Sequence, residues 1–228
     1  MTDNKTDKKY RFDIYPKINT TQMDKLLPQI TNAFENVKSL PLWWICGRKQ
    51  NFGFRPSFTK LYLEGLTKKW LSLLKDNIVI TPIVFYTCDK KNIELTTPDN
   101  EKDVEDFHVY HHYNILISWV ENNIIHIERY EPSNINYQGN LDTKLKDLFV
   151  NTLRKYTTKD VKYELISPTG LQNKTKDKTL CGHHILFYVI YRLKYGKEKT
   201  QEQLNTTNDV NKFKSFCECM TEYTMEQD

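Results

Sequence analysis

Apolar positions along this chain alternate between a period near 3.6 and a period near 2, and the changes of period divide it into elements. From Thr21 to about Val37, Met23, Leu26, Leu27, Ile30 and Phe34 recur at helical spacing, with Thr20 or Thr21 as the N-cap. Pro28 falls inside that pattern and counts against one unbroken helix. The stretch 41–56, PLWWICGRKQNFGFRP, reads as turn-rich. Ser57 to Asp76 predicts a second helix with Leu63, Leu66, Trp70, Leu73 and Leu74 inward, and Gly65 within it is mildly unfavourable.

The pattern then shortens. Asn77 to Tyr86 is almost wholly apolar and β-branched, which predicts a buried strand, bent or peripheral at Pro82. An acidic loop covers 96–106. Val109 to Val120 and Ile124 to Tyr130 predict a strand pair joined by a tight turn at Glu121-Asn122-Asn123. Asn140 caps a predicted helix from Leu141 to about Tyr156, and Val161 to Ile166 predicts a further strand. A polar loop, SPTGLQNKTKDKTL, leads to Cys181. Behind it, Ile185, Leu186, Val189, Ile190 and Leu193 mark one face of a helix stopping at Gly196. A last helix is expected from about Asp209 to Tyr223. This order predicts an α+β fold with a mixed, largely antiparallel central sheet flanked by helices. Residues 1–75 are expected to form an N-terminal extension and helical lobe, and 76–228 the core with its C-terminal helix.

Composition narrows the class. Hydrophobic residues make up 39% of 228 and aromatics 13%, enough for a sizeable core. No apolar run approaches the roughly 20 residues of a membrane span. The segment MTDNKTDKKYRF has no apolar stretch behind its basic residues, so it is not expected to act as a secretory signal. An intracellular protein without a membrane partner is expected. Five irregularly spaced cysteines then read as mostly free thiols, and Cys217-Glu-Cys219 lacks the second pair that a zinc site needs. A net charge of +4 without a basic stripe reads as solvated surface.

Thiol hydrolysis needs a thiolate, an imidazole, a group that orients the imidazole, and donors for an oxyanion. Cys181 opens a helix, whose N-terminal partial charge favours thiolate, and Gly182 after it would let a substrate approach the backbone. His112 and Glu131 lie on the two strands of the predicted hairpin. An even-length turn sets them on one face: a Glu121-Asn122 turn makes them directly opposite, an Asn122-Asn123 turn diagonal neighbours. His111 has the other parity. Gln172, in the loop before Cys181, could donate to an oxyanion together with the Cys181 amide.

The order His, acid, Gln, Cys resembles that of the adenovirus maturation protease and the SUMO-deconjugating proteases. HYNILI is similar to the His-x-Asn-x-Leu-Ile segment of related large-virus thiol proteases. RYEP resembles the Phe-Glu-Pro that carries the acid in adenovirus-type enzymes, and GLQ followed by CG resembles their Gln and nucleophile segment. The resemblance covers about Val109 to Leu193. It departs from the pattern at Tyr113, where these families often have Trp, and in the longer gap from Gln172 to Cys181.

That resemblance implies Cys181 as nucleophile, His112 as base and then acid, Glu131 as orienter and Gln172 as oxyanion donor, on an adenain-like fold with no metal or organic cofactor. It further implies protein substrates, namely capsid or virion precursors cut at Gly-containing sites, in the virion and the host cytoplasm or nucleus, and, as in some of those enzymes, stimulation by DNA or a peptide. Trp43, Trp44, Tyr113 and Trp119 are candidates to gate a narrow cleft, with core packing as the alternative for each. The alternatives are a protease releasing ubiquitin-like or SUMO-like modifiers, an acyltransferase of the YopJ type, and a non-enzymatic protein on a protease fold.

Overall fold

The structure is a computed structural model that describes residues 14–48, 51–54, 60–87, 112–132, 141–166, 171, 175, 179–206 and 210–225. Its elements in chain order are α1 (Thr20–Asn32), β1 (Val37–Ser39), β2 (Trp43–Arg48), β3 (Asn51–Phe54), α2 (Lys60–Leu73), β4 (Ile78–Thr87) and β5 (His112–Glu121). They continue with β6 (Ile124–Tyr130), α3 (Leu141–Arg154), β7 (Asp160–Ile166), α4 (Cys181–Tyr195), α5 (Lys197–Thr206) and α6 (Val210–Met225). The fold is α+β, with a mixed sheet between helices.

One 7-stranded sheet runs β3-β2-β4-β5-β6-β7, with β1 also paired to β4. β2 with β3, β4 with β5 and β5 with β6 are antiparallel. β1 with β4, β2 with β4 and β6 with β7 are parallel, so the sheet is more evenly mixed than expected. The expected boundary near residue 75 falls between α2 and β4, yet β1, β2 and β3 pair into the same sheet as β4. The stretch read as turns therefore holds two strands.

Pro82 explains how β4 can be central rather than peripheral. On one side β4 pairs with β5 throughout, including Pro82 opposite Ile115. On the other, β1 pairs with 78–80 and β2 with 83–87, so Pro82 falls in the gap between two partners. A missing N–H costs nothing there.

Both faces of the sheet are covered, which is why β4 and β5 read as nearly continuous apolar runs. Ile80, Val84, Tyr113, Ile115, Ile117 and Tyr130 pack under α1, α4 and α6, against Met23, Leu27, Ile185, Leu186, Val189 and Phe213. Val79, Ile83, Leu116, Ile125 and Ile127 pack on the other face with Trp43, Trp70, Leu145, Phe149 and Leu153. α4 is tied down further by charge. Glu128 on β6, 1% exposed, accepts from the Tyr188 hydroxyl and from Arg192 Nε at 3.1 Å to each oxygen. A buried carboxylate matched this fully is tolerable; an unmatched one is not.

α1 is entered through a capping box. The Asn19 side chain accepts from Gln22 N at 2.8 Å, and Gln22 Oε1 accepts from Asn19 N at 3.0 Å. Asn19 takes the capping role expected of Thr20 or Thr21. The helix also stops earlier than expected, because Val37 is committed to pairing with Ile78 in β1. Ahead of it, Tyr15 and Ile18 are buried in the α1–α4–α6 core, where the Tyr15 hydroxyl donates to Glu218 at 3.3 Å.

Candidate active site

The β5–β6 hairpin turns at Asn122-Asn123, both with positive φ (51° and 62°), and Glu121 pairs with Ile124. Two left-handed residues make the turn type whose twist suits a hairpin, and Asn tolerates that conformation better than most residues. Of the two registers the sequence leaves open, this is the diagonal one. The pairing runs as far as Ile115 opposite Tyr130. One step further sets Glu131 across from Asn114, with His112 diagonal to it. The Glu131 backbone N–H donates to Ile166 O at 2.8 Å, so the chain is still held by β7 when it reaches the carboxylate.

His112 and Glu131 meet. Their side chains are joined by a 2.6 Å hydrogen bond between His112 Nε2 and Glu131 Oε1, and both residues are 3% exposed. Phe85 of β4 stacks on the imidazole at 6.4 Å between centroids. The ring also hydrogen-bonds to Cys181, for which Nδ1 remains once Nε2 is engaged. Burial alone would pull the imidazole down; its bonds to Cys181 and Glu131, and their charges, overcome this and raise it from 6.5 to about 10.

Cys181 is the first residue of α4 and is half-buried. Leu180 before it is fully buried and supplies no side-chain cap, in contrast to Asn19 on α1. The first turn of α4 thus opens beside the thiol, where the positive end of the helix dipole lies. Gly182 is also required by packing. A β-carbon there would meet Ile18 Cβ at 3.2 Å, Met23 Cε at 3.6 Å and the Tyr113 ring at 3.7 Å, so the glycine admits α1, the residues that enter it, and β5.

The remaining candidates sort by burial. Gln172 and His111 lie outside the described residues. Trp43 is fully buried against Trp70, edge to face at 5.2 Å, and Trp119 stacks on His126 and under Arg192. Tyr113 is the gating candidate next to Cys181. Burial first, then the charges of Cys181 and Asp24, push its hydroxyl well above the ordinary range for tyrosine. His183 and His184, close to the thiol in sequence, point into the α4–α6 core, where His184 stacks on Phe213 at 4.1 Å. Burial lowers them to about 4 and about 3, with the His183 charge adding to the effect at His184. They are neutral core residues. Cys217 is buried and Cys219 exposed, so the two do not converge.

Sequence reasoning missed two residues at this site. Asn114 Nδ2 donates to Glu131 Oε2 at 2.9 Å, and Arg129 NH1 donates to Asn114 Oδ1. The signal was present: Asn114 is two residues from His112, Arg129 two from Glu131, and period 2 returns both to the same face.

No family model matches the sequence, and no curated protein sequence matches it. Solved structures do resemble it. The Legionella pneumophila effector protein RavZ is similar with a TM-score of 0.53 at 9% identity, over 82% of this chain and 50% of that one. The ASFV pS273R protease is similar with a TM-score of 0.48 at 13% identity, over 88% of this chain and 66% of that one. This chain thus spans half to two thirds of the length of those proteins. At such identities the likeness is one of fold.

Proposed function

We propose that this protein is a cysteine endopeptidase in which Cys181, His112 and Glu131 act as nucleophile, acid–base and orienter. One observation carries this: a half-buried thiol at a helix start is hydrogen-bonded to an imidazole that is itself held by a buried carboxylate. Each part has a bland explanation alone. The chain of three, drawn from α4, β5 and the end of β6, does not.

The chemistry follows from the geometry. Cys181 gives its proton to His112, and Sγ attacks the peptide carbonyl carbon. The developing oxyanion is met by the Cys181 amide at the start of α4 and, by its place in the sequence, the Gln172 side chain. His112 then hands the proton to the leaving amine as the C–N bond breaks. In the second half His112 takes a proton from water, the hydroxide attacks the thioester, and Sγ leaves as the acid is released. Glu131 holds the ring in one orientation throughout and offsets its charge.

The words shared with adenovirus-type proteases support virion precursors as substrates, cut at Gly-containing sites. The test is to incubate the purified protein, with and without DNA, with structural-protein precursors encoded in its own genome. Wild type should yield discrete fragments and Cys181→Ala none. Absence of fragments, together with a Cys181 that iodoacetamide labels no faster than an unfolded thiol, would overturn the reading.

A further inference from the structure

Behind the three residues lies a buried cation that the mechanism above does not use. Arg129 is 2% exposed, and its guanidinium is divided among three elements. Nε donates to the Tyr163 hydroxyl on β7 at 2.7 Å, NH2 donates to Asp142 Oδ1 in the first turn of α3 at 3.0 Å, and NH1 donates to Asn114 Oδ1 on β5. Tyr163 in turn donates to the same Asp142 oxygen at 2.8 Å. Burying a guanidinium is costly, so its placement calls for a return.

The return lies in the Asn114 amide, which is fully buried and has an acceptor end and a donor end. Its Nδ2 donates to the Tyr113 carbonyl and to Glu131 Oε2, each at 2.9 Å. Turned over, the amide would set its NH2 against the guanidinium and its oxygen against a carbonyl and a carboxylate. Only one orientation is compatible with Arg129. With it, both Glu131 oxygens are committed, Oε2 to Asn114 and Oε1 to His112. Arg129 NH1 also lies 3.7 Å from Glu131 Oε2, close enough to offset its charge.

We propose that Arg129 is a positioning residue for the site: it fixes the direction of the Asn114 amide, which aims the Glu131 carboxylate at His112. The order of polarity runs from guanidinium to amide oxygen, from amide nitrogen to carboxylate, and from carboxylate to imidazole. The same network ties α3 and β7 to the site, so a purely structural staple is the competing account. This inference rests on the proposed roles of Cys181, His112 and Glu131, and extends them.

The probe is iodoacetamide, and the readout is the second-order labelling rate of Cys181 from pH 5 to 9, with a thermal melt for each variant. In wild type, labelling at pH 7 should exceed that of the unfolded chain. Asn114→Ala should slow it about 10-fold or more, the loss expected for a hydrogen bond to a charged group, and make it climb more steeply with pH. Arg129→Gln should do the same, and Arg129→Lys should recover part of the rate. If Arg129→Gln fails to fold, Asn114→Ala decides alone, because it leaves Arg129 with Tyr163 and Asp142. Variants with lowered melting points but wild-type labelling profiles would overturn the proposal and leave a staple. A wild type that labels like an unfolded thiol would instead overturn the catalytic reading, and this inference with it.

Discussion

Gly182 and Ile18 meet where there is no room for a side chain: a β-carbon at 182 would lie 3.2 Å from that of Ile18. Ile18 cannot swing aside, because its β-carbon is bonded directly to a backbone pinned by the capping box at Asn19 and by buried Tyr15. Gly182→Ala gains about 1 kcal/mol of helix propensity and incurs about 1–3 kcal/mol of overpacking. The net expectation is a melting temperature lower by about 2–4 °C, read by circular dichroism. A rise would mean that the segment before α1 yields.

Gly65 is the opposite case. It is exposed inside α2, and a β-carbon there meets nothing within 4 Å. Gly65→Ala restricts the unfolded chain and improves helix propensity without a clash. Stability should rise by about 0.5–1 kcal/mol, or about 1–4 °C in melting temperature. An unchanged melt would show that α2 already unfolds locally before the rest.

These two glycines also show what the sequence could and could not disclose. Local signals were legible: the helical face behind Cys181, Gly196 as its stop, and a turn that keeps His112 and Glu131 on one face. The strands β2 and β3 were hidden because their glycines and flanking prolines read as turns, and only pairing with β4 explains them. α5 was hidden for another reason. Its sequence KEKTQEQLNT is polar, and it is anchored by the burial of Thr200 and Leu204 rather than by an apolar stripe. At the site, the bonding pattern of Asn114 and Arg129 needed the exact register, which the sequence left between two turns.

His183 and His184 should make the fold acid-labile. Their folded pKa values, about 4 and about 3, lie below the 6.5 of an unfolded histidine. Between those limits the unfolded chain binds more protons, so stability is full above 6.5 and falls as pH drops. The loss by pH 5 is on the order of 2 kcal/mol per ring. His112 adds no slope in this window, since it is protonated in both states below 6.5. Urea unfolding at pH 6.5, 5.75 and 5 should show the decline; above 6.5 the His112 contribution runs in the opposite sense. His184→Phe, which keeps a ring against Phe213, should lose about half of it; parallel declines in the two proteins would contradict the assignment.

His112 titrates the other way, and Glu131 is the means to show it. With a folded value raised to about 10, the protonated ring stabilises fully below 6.5, and that contribution fades as pH rises from 6.5 through 10. The imidazolium that must protonate the leaving amine should therefore persist well into alkaline solution, and peptide cleavage should hold its rate to about pH 9 before falling. Glu131→Gln removes a full charge 2.6 Å from Nε2 and keeps the shape. Its pH–rate profile should lose the alkaline half of the plateau, with cleavage at pH 9 at least about 10-fold further below wild type than at pH 6. Profiles with coincident alkaline limbs would mean that the carboxylate orients the ring without holding its proton.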